Sequence, residues 1–279
     1  MLMTKAELSP IIKEVWASKF YKDLEVELGV SQYVNRDYEG EVNTWGDTVH
    51  IPEVTSDTDA EILTSDNQPY NDGETAVGNI DLIIQKKAVK SIKITDWARY
   101  ISNPAYQDQV RNKIRYKIMK KMEESLISGM VATTNDDSGN ASIAITDFTT
   151  VRKTLNDSNV PNDGTRVCFM GSTYMKNLLD ENEVISKEYF ATEGDSPLID
   201  GMIKRKVYGF KIIESNLFGA QEAYFWHPSF MTLAVQKGAS YKEMDLEPAT
   251  KVPSVRIRSD MLFDWKLMDE LRLYKFYNT

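Results

Sequence analysis

From Tyr106 to Met130 every fourth residue is apolar: Tyr106, Val110, Ile114, Ile118, Met122, Leu126 and Met130. An α-helix gathers such a row onto one side of an element. The row still drifts by about 40° at each step, because the helix completes a turn in 3.6 residues. The spacing therefore predicts a single helix of roughly 40 Å whose buried stripe winds slowly around its axis. Asn103 suits its N-cap and Pro104 its first position. An element this long is the spine of the body that contains it, and other surfaces must cover its stripe from end to end.

The opposite side of the helix is basic. Arg111, Lys113, Arg115, Lys117, Lys120 and Lys121 all fall in the run RNKIRYKIMKK, with Glu123 and Glu124 just beyond. The whole chain of 279 residues has a net charge of −9. A general nucleic-acid binder needs a positive footprint, so the balance argues against that class while leaving a local basic site open.

Upstream of the helix the sequence changes character. GDTVHIPEV and NIDLIIQKKAVKSIKITD are rich in Val and Ile and read as strands. The intervening TSDTDAEILTSDNQPYNDGETAVG is polar and rich in turn residues. From Ile51 to Gln85 there is no Lys or Arg, while Glu53, Asp57, Asp59, Glu61, Asp66, Asp72, Glu74 and Asp81 all occur. So long a polar connection does not belong inside a compact domain. The expectation is a two-stranded arm projecting from the body, with Lys86, Lys87, Lys90 and Lys93 on its returning strand. An isolated ribbon is marginal in water, so it is expected to rest on another molecule.

The remaining elements are shorter. SPIIKEVWASKFYKDLEVEL predicts an N-terminal helix capped by Ser9, with Ile12, Trp16, Phe20, Leu24 and Leu28 on one face. TTNDDSGN reads as a loop. DFTTVRKTLN predicts a helix capped by Thr146, VPNDG a turn, TRVCFM a buried strand, STYMKNLLD a helix capped by Ser172, and EGDSPLIDG a loop. KVYGFKIIES, EAYFWHPSFMTLAVQ, SVRIRSDMLFDW and ELRLYKFY read as strands. The fold class is α+β, divided into an N-terminal arm (1–41), an extended β-arm (42–95), a region built on the spine helix (96–145), an α/β unit (146–235) and return strands (236–279).

Catalytic signatures do not emerge. The two histidines, His50 and His227, are far apart, and no Cys or second His stands at metal-ligand spacing. Each reads as a satisfied structural or interface histidine. The lone cysteine, Cys168, lies in an apolar run and reads as a buried, inert thiol. There is no G-x-S-x-G, no phosphate-binding G-x-x-x-x-G-K-[ST] and no G-x-G-x-x-G. DTDAE and NDDSGN are oxygen-rich, but neither matches the Gly and Glu positions of a calcium loop. No catalytic residue, cofactor or metal is expected. No apolar run is long enough to cross a bilayer as a helix, and the N-terminus lacks the apolar stretch of a signal peptide, which places the chain in a cytoplasm.

The order of elements resembles that of the major capsid proteins of tailed bacteriophages, which have the Hong Kong 97 fold. YVNRDYEGEVNTWGDTVHIPEV resembles the segment entering that family's E-loop, and LNDSNVPNDGTRVCFMGSTYMKNLL the helix, turn, strand and helix of its A-domain. KVYGFKIIESN is similar to its G-F-x-V-x-x-S-N strand, with Gly209, Phe210, Ser215 and Asn216 matching, and YFWHPSFMTLAVQ to the strand leading back to its P-domain. The resemblance runs over nearly the whole chain. It implies an N-arm, an E-loop at 42–95, a P-domain on the spine helix at 96–145, an A-domain at 146–235 and P-domain return strands at 236–279. It also implies a structural protein that self-assembles through hexamers and pentamers into an icosahedral shell around double-stranded DNA. The subunits would be assembled in the host cytoplasm and located in the virion.

The resemblance implies partners as well: further copies of the chain, with scaffold, portal and decoration proteins as additional candidates, packaged DNA by weak non-specific contact, and no membrane. No segment resembles a fused scaffold, and no Lys, amide and carboxylate trio for covalent cross-linking can be placed. The alternative readings are the shell of a nanocompartment enclosing enzymes, and an unrecognised α/β enzyme using carboxylates as acid and base. The basic helix itself has three readings: a solvated face, contact with packaged DNA, or an intersubunit contact. The third pairs Asp57, Asp59, Glu61, Asp66, Asp72 and Glu74 of one arm with Arg111, Arg115, Lys117, Lys120 and Lys121 of a neighbouring subunit.

Overall fold

The computed structural model describes residues 25–42, 46–56, 59–65, 69, 76–101, 104–181, 203, 206–246 and 253–278. In chain order, a 3-10 turn (Val30–Tyr33) is followed by α1 (Glu39–Val42), β1 (Thr48–Ser56), β2 (Ala76–Ile83), β3 (Lys86–Thr95), α2 (Asp96–Ile101) and α3 (Pro104–Val131). Then come β4 (Asp136–Ser138), α4 (Ile145–Asp157), β5 (Val167–Met170), α5 (Ser172–Leu179), β6 (Lys211–Glu214) and β7 (Glu222–Trp226). A 3-10 turn (Pro228–Phe230), β8 (Met231–Asp245), β9 (Ser254–Leu267), another 3-10 turn (Glu270–Arg272) and β10 (Leu273–Tyr277) complete the chain.

The spine helix is α3, and its apolar row is buried as the spacing predicts. Val110, Ile114, Ile118, Met122, Leu126 and Met130 join one core with Ala88 of β3, Ile257, Met261 and Phe263 of β9, and Phe230, Met231 and Leu233 around the start of β8. The sheet beneath is three-stranded and antiparallel, in the order β3-β9-β8. At one end of α3, Arg111 reaches Glu243 of β8 at 2.6 Å, and its carbonyl accepts from the Tyr241 hydroxyl at 2.7 Å. Towards the other end the Trp265 ring lies close against Gly129. A Cβ added there would fall 2.4 Å from the ring, so the closeness of helix and sheet requires glycine at that point.

A second layer holds a five-stranded mixed sheet, in the order β4-β10-β7-β5-β6, with α4 and α5 packed on it. All four residues of β5 are buried, as expected for a central strand. Phe148 of α4 packs edge-on against Phe210 and Phe225 at 6.2 and 5.1 Å between ring centres. Cys168 is fully buried here, which pushes its thiol well above the ordinary range and leaves it without nucleophilic character.

Several expectations are corrected. The loop expected at TTNDDSGN contains β4, which pairs parallel with β10. The run EAYFWHPSFMTLAVQ is split by its Pro228 turn, so β7 serves the five-stranded sheet and β8 the three-stranded one. The last strand, β10, pairs with β7 in the five-stranded sheet rather than returning beside β9. The N-caps of α4 and α5 are Ala144 and Gly171, each one or two residues ahead of the expected Thr146 and Ser172. At α4 the capping bond runs backwards, from the Ala144 amide to the Asp147 carboxylate at 2.7 Å. Helix α2 has no counterpart in the sequence reading. The expected N-terminal helix and Asn103 cap lie wholly or largely outside the described residues.

The arm is a ribbon of β1 and β2, paired from Thr48↔Ile83 to Ser56↔Ala76. Its returning strand ends at Ile83, and the lysines expected on it belong instead to β3, in register with β9. The base of the ribbon rests on its own chain, where Val49, Ile51 and Leu82 cover Ala234. Its far end is open: the paired residues Val54 and Val77 are 61% and 70% exposed.

Candidate intersubunit site

Of the acidic arm residues, Asp59 and Glu61 are exposed; Asp57, Asp66, Asp72 and Glu74 lie outside the described residues. The basic side of α3 is partly neutralised within the chain. Arg111 bonds Asp108 at 3.0 Å as well as Glu243, and these two acids raise its pKa, Glu243 most. Lys121 and Lys120 lie 2.8 and 3.9 Å from Glu124, whose carboxyl is lowered chiefly by Lys121. Arg115 and Lys117 are exposed, with the Lys117 ammonium 5.9 Å from the Tyr116 ring centre. The structure thus keeps Arg115 and Lys117 as the outward charges of the set. Among the described residues it brings none of Arg111, Arg115, Lys117, Lys120 and Lys121 to Asp59 of the same subunit.

A cleft of about 360 Å³ opens between β3 and α3, lined by Lys86, Lys87, Lys121, Glu124, Ser125 and Phe263. Each of its lysines has an acid nearby, two of them shared with a further lysine. Lys86 meets Asp264 at 2.5 Å, Lys87 meets Asp260 at 3.7 Å and Lys121 meets Glu124. The charges around the cleft are therefore close to balanced, and most of its lining surface is apolar.

Glu123 departs from its expected part in moderating the helix charge. It is 1% exposed and turned inward. Its carboxylate accepts from the Val30 amide at 2.8 Å, the Ser31 amide at 3.2 Å and the Ser31 hydroxyl at 2.7 Å. The 3-10 turn Val30–Tyr33 is thereby capped by a residue of the spine helix. The Trp226 indole donates to the Tyr33 carbonyl at 2.8 Å, and Leu233 donates to Asn35 at 2.9 Å. Residues 30–35 thus clasp α3 and both sheets. The one signal for this in the sequence is an acid interrupting a basic run, which does not reveal its partner.

Both histidines have hydrogen-bond partners. Exposed His50 meets Asp81 at 2.6 Å across the ribbon. His227 is buried between Ser229 at 2.6 Å and Asp163 at 3.3 Å. Asp163 also accepts from the Thr165 hydroxyl and amide at 2.7 and 2.9 Å, and these bonds, with His227 behind them, lower its pKa to about 2. A depressed carboxyl pKa means the stabilisation is complete above the ordinary 3.8 and is lost as pH falls towards 2. An NMR titration should place the Asp163 midpoint near that lower value. Thr165→Ala should move it up towards the ordinary range; an unmoved midpoint would refute the assignment of cause.

Among the described residues no group of three or more His, Cys, Asp or Glu side chains is placed to hold a metal ion, and no helix is long and apolar enough to cross a membrane.

A long helix on an antiparallel sheet, a projecting ribbon and a second α/β layer together make the Hong Kong 97 fold of phage capsids. The chain belongs to the phage capsid protein family, whose match spans residues 83–271, and it is a structural major capsid protein of a phage head. Its structure is similar to that of Mycobacterium phage Che8 at 21% identity, covering 95% of this chain and 96% of the other, with a TM-score of 0.78. It is similar to the capsid structure of cyanophage P-SCSP1u at 11% identity, covering 98% and 94%, with a TM-score of 0.76. The mature capsid of bacteriophage PhiM1 matches at 10% identity over 96% and 92%, with a TM-score of 0.72. A comparison with curated proteins finds no match.

Proposed function

We propose that the protein assembles through hexamers and pentamers into an icosahedral head enclosing double-stranded DNA, in the host cytoplasm. The observation that carries this is the family match across residues 83–271, which takes in the spine helix, β5 to β9 and the strand β3 that joins them to the arm. The arm serves as the contact between subunits. Its far end is exposed and apolar at Val54 and Val77, and the stretch from Ile51 to Gln85 holds acids but no Lys or Arg. Asp59 and Glu61, with Asp57, Asp66, Asp72 and Glu74 of the same stretch, meet positive charge on a neighbour. Arg115 and Lys117 are the helix cations free to contribute, since Arg111, Lys120 and Lys121 are engaged by their own chain. Opposite charge across such a contact steers docking and rejects wrong pairings. Scaffold and portal proteins complete the head, DNA is held by weak non-specific contact, and the protein performs no catalysis.

Negative-stain electron microscopy with light scattering tests the reading. Closed shells, capsomer rings or tubes are the expected result, from the protein alone or co-expressed with its scaffold. A subunit that stays monomeric even with the scaffold would overturn it.

A further inference from the structure

Two of the chain's crossings between its sheets lie side by side. After β7 the chain leaves the five-stranded sheet for the three-stranded one through the turn Pro228–Phe230, and after β9 it returns through the turn Glu270–Arg272. Backbone bonds tie the two turns together. The Met268 and Asp269 amides donate to the Phe230 carbonyl at 2.8 and 3.3 Å, and the His227 amide donates to the Arg272 carbonyl at 3.1 Å. One imidazole stands at this junction. The His227 ring meets the first turn through Ser229 and, by its other nitrogen, Asp163 of the turn ahead of β5.

The protonation of the ring follows from its neighbours. Arg272 donates to the Ser229 hydroxyl at 2.7 Å. That leaves the hydroxyl hydrogen for the His227 Nδ1 at 2.6 Å, and the Ser229 amide is directed at the same nitrogen at 3.3 Å. Nδ1 is therefore the acceptor, and Nε2 carries the hydrogen that Asp163 accepts at 3.3 Å. A directed chain thus runs from Arg272 through Ser229 and His227 to Asp163. It links both crossings to the turn that leads into the central strand β5.

The chain requires a neutral ring, and histidine is the side chain whose ordinary titration falls between about pH 5 and 8. A second proton goes onto Nδ1 and turns that acceptor into a donor. The Ser229 amide then loses its partner, and the Ser229 hydroxyl must reverse to receive hydrogens from Arg272 and Nδ1 together. The ring also becomes a cation beside the Arg272 guanidinium, which Asp269 offsets at 3.0 Å. Against these losses stands the attraction of Asp163, whose carboxyl at about 2 keeps it ionised throughout. Its side chain is half exposed and its field also reaches Arg166, so water and a second cation weaken that pull. Lys206 adds a further positive charge at the adjoining Gly164 carbonyl.

We infer that His227 is a pH-sensitive joint between the two layers: neutral, it caps the Pro228 turn and holds both crossings; charged, it lets that turn go and keeps only Asp163. The device goes beyond the assembly reading and belongs to the subunit itself.

The test follows the full chain from about pH 8 to about pH 5. The sequence holds two histidines, so His50→Gln leaves a single imidazole signal for NMR. Hydrogen exchange, expressed as protection relative to the free-peptide rate at each pH, reads the Ser229 amide. Its protection should fall by about tenfold as the ring titrates, with one midpoint for both curves, while the β5 amides change by less than about twofold. His227→Asn keeps an acceptor for the Ser229 amide at the cap position and does not titrate, so there the fall should vanish. Asp163→Asn removes the charge that favours the protonated ring, and the midpoint should drop by about one pH unit. A ring that titrates while Ser229 keeps its protection would overturn the inference, as would a ring that stays neutral throughout the range. A fall that persists in His227→Asn would do the same. Where that variant fails to fold, an unmoved midpoint in Asp163→Asn decides against the joint. Each of these outcomes leaves the capsid reading intact, because that reading rests on assembly and the joint is read within one subunit.

Discussion

Glu123→Ala is expected to cost about 2–4 kcal/mol, because it strands buried donors whose hydrogen bonds to a charged group are among the stronger ones in a protein. Val30 and Ser31 lose their acceptor together, and both residues are buried. Glu123→Gln keeps the volume and one carbonyl acceptor, so its loss should be about half as large. Chemical denaturation gives the free energies. Hydrogen exchange adds a local readout, since the Val30 and Ser31 amides should lose protection before the β5 amides do. An alanine variant that unfolds at the wild-type midpoint with those amides still protected would show that the clasp stands without the carboxylate.

The same residue marks how far the sequence could be read. The row of apolar residues at four-residue spacing located α3 to within two residues at each end, because one helix face is a local property of the chain. The all-buried β5 and the acidic, Lys-free arm were legible for the same reason. Sheet membership was not. β7 and β8 form one continuous apolar run, and only the Pro228 turn, with the Met268 amide donating to Phe230 at 2.8 Å, separates them into different sheets. Lys93 and Arg256 are 163 positions apart, from the difference of their numbers, and become neighbours only through the β3–β9 register. For that reason a sequence reading drew the eye to a basic helix whose charges are largely answered locally. Cations that face each other across strands, Lys93 with Arg256 and Lys242 with Arg258, sit on a sheet that no local pattern announces. Glu123 was hidden likewise: its partners lie 92 and 93 positions away.

Trp226→Ala is the second large expected effect, about 3–5 kcal/mol for a fully buried tryptophan. Trp226 is stacked on Phe169 at 5.0 Å and 14°, and its indole holds the Tyr33 carbonyl. The substitution removes a ring from the core and also a hydrogen bond to the segment that Glu123 clasps from the other side. Two losses that act on one segment do not add. Once residues 30–35 are released by Glu123→Ala, the part of the Trp226 effect carried by Tyr33 has already been lost. The double variant should therefore fall short of the sum by about 0.5–3 kcal/mol, whereas a pair such as Glu123→Ala with Phe148→Ala, in separate cores, should add within about 0.5 kcal/mol. Denaturation of the four proteins in each cycle decides it. Strict additivity in the first cycle would mean that the spine helix and the five-stranded sheet grip the segment independently. Coupling would mean that residues 30–35 join the two layers as one mechanical unit, so that any rotation of one layer against the other during assembly must either carry the clasp along or break it.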